Sequence, residues 1–398
     1  MRFLISIATA LILSTSVGHA ASGQGKLYVE CGGSFSNFVG KMKREALNQG
    51  FAQNTVDRFF NQANYSDRTI RADRRQGIFK SDFVSFTRKL ISQNRLDRGR
   101  SSSRRYDSIF SAIEQQLGVQ RGILLSFWAF ETDYGSFQGD FNTLDSLMTL
   151  SHDCRRPALF QPQVFAALKL YEMGDFSTDT EGAWAGEIGM VQMLPKDILE
   201  RGVDGDGDGH VYLKTSAADA LFSAANMLRS FGWQPNQPWL QEVVLPSELP
   251  WQDTGTERSK PVSEWARLGV QPRSGAWEGA SLRGSILIPM GRKGPAFMAY
   301  PNYQALFEWN QSFVYVATAG YFATRLAGAP VYDAGSPDAP LSDGEMKSLQ
   351  QKLANRGHNV GKIDGILGAG TRAAVRAEQM RLGLPADSWP TRTLLNRL

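Results

Sequence analysis

The sequence predicts a mainly α-helical protein with a small irregular or β-containing lobe and a short C-terminal module of three helices. Three observations in its 398 residues indicate this class. Apolar residues recur at spacings of three and four through residues 33–130, as on the buried face of a helix. Short β-rich pieces, EVVLP and SILIP, lie among Pro and Gly within residues 240–300. Helical spacing returns in QALFEWNQSFVYVATAGYFATRLAG and again near the C-terminus.

The first helices follow from their apolar spacing. SFSNFVGKMKREALNQG repeats apolar residues at helical intervals and ends at Gly50, a residue type that commonly ends helices. SDFVSFTRKLISQN and SIFSAIEQQLGV show the same pattern, with Gly118 near the end of the second. From Ile123 to Phe130 the only polar residue is Ser126, so we expect that helix to run through the core.

The C-terminal part is set off by a linker. GAPVYDAGSPDAPLSDGE is rich in Pro, Gly and small polar residues, which is typical of a segment between domains. After it the sequence predicts a helix (EMKSLQQKLANRG), a Gly-containing turn, a helix capped near Thr371 and a last short helix (TRTLLNRL). The predicted divisions are a signal peptide at 1–20, a main domain at 21–328, a linker at 329–342 and the module at 343–398.

The first twenty residues, MRFLISIATALILSTSVGHA, predict export. Arg2 precedes an apolar run, and Gly18 and Ala20 occupy the −3 and −1 positions of a small-residue cleavage site. The run is shorter than the ~20 residues that a membrane span needs, and no later segment is long and apolar enough to span a membrane. We therefore expect a cleaved secretory signal and no membrane span.

The two cysteines, Cys31 and Cys154, are expected to meet an oxidising compartment if the chain is exported. A disulfide between them is the favoured interpretation, and two unrelated buried thiols are the alternative.

The net charge of +4 comes with basic clusters at residues 67–75 and 94–105. Such clusters can bind nucleic acid, but export argues against that partner and favours an acidic polysaccharide or an anionic envelope surface. The alternative for each cluster is a solvated positive face without a partner.

Glu131 is the candidate acid. The sequence lacks the G-x-S-x-G, G-x-x-x-x-G-K-[ST], H-E-x-x-H and C-x-x-C patterns of serine, nucleotide, zinc and redox chemistry. In FWAFETDYG, Glu131 stands at the end of an apolar run, and burial there would raise its pKa and let it donate a proton. The lysozyme glutamate in an apolar pocket is the worked precedent for this argument. The alternatives are a Glu that faces water and a buried Glu bonded to a nearby amide.

The stretch VDGDGDGHV predicts a calcium loop. Asp204, Asp206 and Asp208 stand at positions 1, 3 and 5 of the calcium-loop pattern, and His210 stands at position 7, where the ligand is a backbone carbonyl. Position 12 is Thr and not the usual bidentate Glu, so Asp219 is the candidate for the missing carboxylate. The alternative is a surface turn without metal.

Together these motifs resemble a known family. FWAFETDYG, LDSLMTLSHDCRRPALF, GAWAGEIGMVQMLP, DGDGDGH, SAANMLRSFGW and AYPNYQALFEWNQSFVY are similar in order and spacing to the B-type lytic murein transglycosylases, over residues 30–328. The C-terminal segment, with Leu349-Gln350, Lys362-Ile-Asp-Gly365 and Thr371, resembles the three-helix peptidoglycan-binding module.

The resemblance implies a lysozyme-like catalytic domain in the periplasm, with peptidoglycan glycan strands as its partner. It implies cleavage of the β-1,4 bond between N-acetylmuramic acid and N-acetylglucosamine with closure of a 1,6-anhydro ring, Glu131 acting first as acid and then as base. No cofactor is implied for the chemistry, and calcium would be structural. The residues that it places at the substrate are Arg155, Arg156, Gln192, Trp309, Asn310 and Tyr315.

The chain departs from the family pattern at several positions. Ala183 stands where the family usually has Ser, and Glu187 stands where the family has a small residue. Glu187 is either a second carboxylate near the groove or a charge at its rim. In the C-terminal module Glu378 replaces an apolar residue. Two other functions therefore stay open: a peptidoglycan-binding scaffold with a decayed site, and a hydrolytic muramidase that uses Asp133 or Glu187 as its second carboxylate.

Overall fold

The structure is a computed structural model that describes residues 26–75 and 81–398. These residues form seventeen α-helices and seven short β-strands, which confirms the mainly helical class. The predicted signal peptide at 1–20 lies outside the described residues.

The helices of the first part of the chain are α1 (Phe35–Asn48), α2 (Gln53–Phe60), α3 (Asp67–Arg74), α4 (Phe83–Leu90), α5 (Gln93–Arg105), α6 (Asp107–Leu117), α7 (Arg121–Thr132), α8 (Thr143–His152), α9 (Pro157–Met173), α10 (Pro195–Arg201) and α11 (Ala217–Ser230). The later helices are α12 (Val262–Arg267), α13 (Asn302–Trp309), α14 (Phe313–Leu326), α15 (Asp343–Asn355), α16 (Ala369–Arg381) and α17 (Arg392–Arg397). The strands are β1 (Phe141–Asn142), β2 (Glu181–Gly182), β3 (Leu240–Val244), β4 (Lys260–Pro261), β5 (Gln271–Pro272), β6 (Arg283–Leu287) and β7 (Phe297–Ala299).

Helix α7 crosses the core, as its composition predicts. Every residue from Gly122 to Thr132 is buried. Its one polar residue within the apolar run, Ser126, donates a hydrogen bond to the carbonyl oxygen of Ala319 on α14 at 2.8 Å. A Cβ on Gly122 would lie 2.9 Å from the carbonyl oxygen of Ala323, so the two helices approach closely through this glycine.

Two helices predicted as continuous are each divided in the structure. SDFVSFTRKLISQN ends as α4 at Leu90, and α5 starts anew because the Ser92 hydroxyl accepts the Arg95 N–H at 3.1 Å as an N-cap. The segment QALFEWNQSFVYVATAGYFATRLAG divides into α13 and α14, where Ser312 caps α14.

The predicted β-containing lobe is a five-stranded antiparallel sheet with strand order β4-β6-β7-β3-β5. Ser285 on β6 lies opposite Ala299 on β7, and Leu240 on β3 lies opposite the same residue from the other side. The lobe has its own apolar cluster around Trp265, Ile286 and Met298, separate from the main helical core.

The C-terminal module is a three-helix unit with its own small core, centred on Leu349, Leu353, Val375 and Leu394. Its second helix, α16, starts earlier than predicted, with Gly368 at the N-cap. Thr371 lies within the first turn and is instead buried, with its hydroxyl within hydrogen-bond distance of Gln350 Nε2 at 3.2 Å.

The module packs against the main domain. Residues 327–342, all of them described, form neither helix nor strand. In that segment the Tyr332 hydroxyl pairs with Thr87 Oγ1 at 2.6 Å. Arg372 of α16 donates to the carbonyl oxygen of Pro289 at 2.9 Å, and its guanidinium lies 4.8 Å from the ring centre of Phe313. Trp389 Nε1 donates to the carbonyl oxygen of Asp338 at 3.0 Å. The linker is therefore held along the protein surface.

Cys31 and Cys154 form a disulfide, with an S–S distance of 2.13 Å. Beside it the Gly32 N–H donates to the His152 carbonyl oxygen at 2.9 Å, which ties the N-terminal segment to the end of α8. In the part of the chain that the structure describes, no helix has the length and apolar character to cross a membrane.

Candidate active site

Glu131 lies in the last turn of the buried helix α7 and is itself only 7% exposed. Two side chains, one from α13 and one from α14, donate hydrogen bonds to its Oε1 atom. Tyr315 donates from its hydroxyl at 2.5 Å, and Trp309 donates from its indole nitrogen at 3.2 Å. The break between α13 and α14 thus brings both donors to one carboxyl oxygen.

The two donors are themselves fixed in place. Trp309 stacks on Phe127 with ring centres 4.3 Å apart and an interplanar angle of 15°, which orients the indole N–H. Burial raises the pKa of Tyr315 well above its usual value, and the charge of Glu131 and the hydrogen bond to it add to the rise. The phenol therefore stays protonated and remains a donor. A hydrogen bond to a charged group contributes about 1.5–3 kcal/mol, so this pair offsets part of the cost of burying the carboxylate.

The chain turns sharply directly after Thr132. Asp133 and Tyr134 have φ angles of 51° and 58°, in the left-handed region that side chains other than glycine seldom adopt. Gly135 follows with a φ of 81°, and its N–H donates to Thr132 Oγ1 at 2.9 Å. The turn fixes the end of α7 and therefore the position of Glu131.

Arginines from the basic cluster at 94–105 hold that turn. Arg95 donates to the Asp133 carboxylate at 3.2 Å, and Arg98 forms a short ion pair with the same carboxylate. Asp133 is thus committed to two arginines. Arg95 and Arg98 therefore have a structural role. The sequence had suggested only an anionic partner or a solvated positive face for this cluster.

Arg155 and Arg156 are held by a residue that sequence reasoning missed. The carboxylate of Asp73 on α3, 1% exposed, forms ion pairs with both of them and with Arg74. Burial would raise the pKa of Asp73, but the hydrogen bond from Arg155 and the charges of Arg156 and Arg155 outweigh it and hold the pKa below 3.8. The sequence signal that could have identified Asp73 is its position as an acidic residue within the basic run DRTIRADRR.

The loop between β2 and α10 is attached to the end of α7. Thr132 Oγ1 donates to the carbonyl oxygen of Met190 at 2.6 Å, so this loop is attached to the end of α7. Ala183 donates its N–H to the carbonyl oxygen of Glu187 at 2.8 Å, and Glu187 is buried. Gln192 adopts a φ of 54° and donates to the carbonyl oxygen of Gly189 at 2.9 Å.

Asn310 lies in the break between α13 and α14, beside Trp309. It is buried, and its Oδ1 accepts the N–H of Ser312 at 2.8 Å. Its amide therefore shapes the turn that presents Trp309 and Tyr315.

The Asp/Gly-rich loop brings three carboxylates together. Oxygen atoms of Asp204, Asp206 and Asp219 all lie within 4.8 Å of one another. Asp219 is buried and accepts backbone N–H groups from Gly205 at 2.9 Å and Tyr212 at 2.7 Å. Carboxylate oxygens are the ligands that Ca²⁺ prefers, so this donor set fits a hard cation.

Two of the residues predicted to bind calcium, Asp208 and His210, lie outside this group of three carboxylates. Asp208 Oδ1 accepts the His210 N–H at 2.9 Å, and the carboxylate lies outside the group. The His210 ring pairs with Asp175 through Nδ1 at 2.7 Å, so its side chain is engaged elsewhere. Gly209 has a φ of 93°, which the sharp turn at position 6 of a calcium loop requires.

Comparisons with known proteins give matches over most of the chain. Residues 34–324 match the family model described as "Transglycosylase SLT domain", and residues 342–398 match "Putative peptidoglycan binding domain". Among curated proteins, the chain is 24% identical over 323 residues to the membrane-bound lytic murein transglycosylase B of Escherichia coli (strain K12), covering 76% of this chain and 87% of that protein.

Several solved structures are similar to this one. SltB3 from Pseudomonas aeruginosa, in complex with NAG-NAM-pentapeptide, has a TM-score of 0.84 and 35% identity, covering 92% of this chain and 100% of that chain. The Escherichia coli lytic transglycosylase Slt35, in complex with calcium, has a TM-score of 0.63 and 24% identity, covering 75% of this chain and 96% of that one. The second similarity concerns the fold alone.

Replacing Asp73 by Asn should destabilise the protein by about 2 kcal/mol at pH 7, because three arginines lose the charge-assisted hydrogen bonds and ion pairs to this one buried carboxylate. Since the folded pKa of Asp73 is lowered, its stabilisation is present above 3.8 and fades as the pH falls below that value. Urea unfolding of both proteins between about pH 3 and pH 7 measures this.

Asp153→Asn is the matched control, because Asp153 also pairs with Arg74 but is more exposed. We expect it to cost about 1 kcal/mol or less. An Asp73→Asn protein as stable as wild type at pH 7 would contradict the assigned role.

Proposed function

The chain belongs to the SLT-domain family of transglycosylases and is a peptidoglycan lytic transglycosylase, and on this premise we propose that Glu131 alone carries its acid and base chemistry. One observation carries the proposal. Glu131 is a buried carboxyl at the end of a core helix, and two fixed donors, Tyr315 and Trp309, meet its Oε1 atom.

In the first step, the protonated Glu131 gives its proton to the glycosidic oxygen between N-acetylmuramic acid and N-acetylglucosamine. The bond from the muramic acid C1 to that oxygen breaks, and Glu131 becomes a carboxylate. The hydrogen bonds from Tyr315 and Trp309 stabilise the negative charge as it forms, because they are already in place before the proton moves.

In the second step, the Glu131 carboxylate takes the proton of the C6 hydroxyl of the same muramic acid. The C6 oxygen bonds to C1 and closes the 1,6-anhydro ring, so no water is consumed and Glu131 ends protonated. Most glycosidases use two carboxylates for two separate roles. Here one carboxyl performs both roles in sequence.

We assign substrate binding to Arg155, Arg156, Gln192, Trp309, Asn310 and Tyr315. Arg155, whose side chain is 43% exposed, can reach the acidic groups of muramic acid or of a stem peptide while Asp73 fixes its guanidinium. SltB3 in its complex with NAG-NAM-pentapeptide is the relative that supports this class of ligand.

The C-terminal module, residues 343–398, would hold peptidoglycan strands near the catalytic domain, 21–328. Its docking through Arg372 and Trp389 supports a fixed orientation relative to that domain. We further propose that residues 1–20 are a cleaved signal and that the mature protein acts in the periplasm, where its substrate lies.

Calcium at the Asp/Gly-rich loop is a structural proposal. Asp204, Asp206 and Asp219 would supply carboxylate oxygens, with the backbone carbonyl of His210 as a further ligand. Asp208 would have to give up its bond to the His210 N–H to join them. The ion would brace the loop before α11 and would take no part in proton transfer.

The proposed function predicts the products of digestion. Mature protein incubated with purified sacculi should release fragments one water lighter than hydrolysis products, as mass spectrometry would show. Glu131→Gln should keep the wild-type circular dichroism spectrum and lose at least about 100-fold in release rate, because the proton donor is gone. Fragments with ordinary reducing ends would assign a hydrolase, and sacculus binding without any release would assign a scaffold.

The calcium proposal predicts a change in stability. Calcium at about 100 times its Kd should raise the Tm of chelator-treated protein by roughly 5 °C, because the ion binds only the folded loop. Asp219→Asn should abolish most of that rise, whereas Asp179→Asn, at an exposed position outside the loop, should keep it. An identical Tm for the wild-type protein in chelator and in calcium would contradict a structural calcium site at this loop.

A further inference from the structure

The C-terminal module contacts the break between α13 and α14 through Arg372, a residue of α16. One guanidinium nitrogen of Arg372 donates to the carbonyl oxygen of Pro289, which lies just after β6, at 2.9 Å. The guanidinium carbon lies 4.8 Å from the ring centre of Phe313, within the range of a cation–π interaction. Arg372 therefore joins the module to two elements of the main domain, the β lobe and the first residue of α14.

Phe313 is close in sequence to the two donors of the site. It precedes Tyr315 by two residues in the first turn of α14, and its ring pairs with that of Phe307 on α13, with ring centres 6.3 Å apart. Phe307 in turn precedes Trp309 by two residues at the end of α13. The two rings thus span the break, and Arg372 contacts the ring on the α14 side.

The guanidinium of Arg372 is in an unfavourable environment. Its Nε atom is buried and has no hydrogen-bond partner among the residues that the structure describes. Burial lowers the pKa of Arg372 to about 10, and the charge of Asp387 opposes the fall. A buried charge with an unpaired donor adds little to stability. The contribution of Arg372 is therefore better sought in the geometry that it fixes.

Other contacts keep the module, and hence Arg372, in one position. The carboxylate of Asp387 accepts the Arg292 N–H at 3.1 Å, and Trp389 belongs to the apolar core cluster of the main domain. A Cβ on Gly291 would lie 2.6 Å from the Cβ of Trp389, so the two domains approach closely at this glycine. A shift of the module would therefore break packed apolar contacts.

We propose that Arg372 is a positioning residue for Tyr315 and Trp309, and that the docked module is required for full turnover. The proposal rests on the donor roles of these two residues given above. The Tyr315 hydroxyl lies 2.5 Å from Glu131 Oε1, so a small displacement of the first turn of α14 lengthens this hydrogen bond. A longer bond stabilises the forming carboxylate less. Arg372 acts on this geometry through the ring of Phe313.

The test separates turnover from affinity in the mature full chain acting on purified sacculi. Arg372→Gln should lower the release rate at saturating sacculi by about tenfold, because a misplaced donor weakens the transition state. The half-saturating concentration of sacculi should change by less than about twofold, because substrate binding is kept.

Arg376→Gln is the matched control. Arg376 lies one turn later on α16 and donates to the Thr254 carbonyl oxygen at 3.2 Å, so it also docks the module, but on the β lobe. This variant should leave both kinetic parameters unchanged.

A spectroscopic measurement reports on one donor directly. In ¹⁵N-labelled protein, the indole N–H signal of Trp309, identified by its loss in Trp309→Phe, should shift in Arg372→Gln and stay in place in Arg376→Gln. If Arg372→Gln does not fold, Phe313→Leu removes the ring from the main-domain side and should reproduce the shift and the loss of turnover. Wild-type turnover in Phe313→Leu would then overturn the proposal.

Three further results would overturn it: wild-type turnover in Arg372→Gln, a loss confined to affinity, or equal losses of turnover in Arg372→Gln and Arg376→Gln. The last of these would mean that docking matters but the contact with Phe313 does not. Wild-type turnover in Tyr315→Phe would instead contradict the donor role of Tyr315, so the two failures are distinguishable.

Discussion

The site depends on one unfavourable placement, a carboxyl group at the end of a helix that is buried on every side. An isolated carboxylate in such surroundings is strongly disfavoured, so its two protonation states are both accessible only if neighbouring groups compensate. Tyr315 and Trp309 provide that compensation through hydrogen bonds to a single oxygen of Glu131. The helix break that delivers them therefore matters as much as the helix that carries the acid.

Much of the surrounding structure keeps this arrangement rigid. The left-handed turn at Asp133 and Tyr134 is held by Arg95 and Arg98, and Thr132 attaches the loop that carries Glu187. Conformational strain of this kind costs of order 1–3 kcal/mol per residue and persists only where surrounding contacts fix it. Its place directly after Glu131 fits a site in which the position of one carboxyl has to be exact to a fraction of an ångström.

Apolar periodicity predicted α1, α6, α7 and the helices of the C-terminal module, because these helices bury one face or all faces. The β lobe was predicted from short β-rich pieces among Pro and Gly. It could not predict the breaks before Ser92 and Ser312, where a serine cap competes with continuous apolar spacing. Glu131 was found because a charge is rare in such a run. Asp73 was missed because its burial depends on arginines more than eighty residues away, and the burial of Glu187 depends on loop packing that no local pattern encodes.

The central claim is that one carboxyl moves a proton out and back while no water enters the bond. Digestion of sacculi in ¹⁸O-labelled water, followed at once by mass spectrometry, tests this claim most directly. The account predicts released fragments whose new muramic acid ends carry no ¹⁸O. Incorporation of one ¹⁸O atom per cleaved bond would contradict it, because water would then have attacked C1 in place of the C6 hydroxyl.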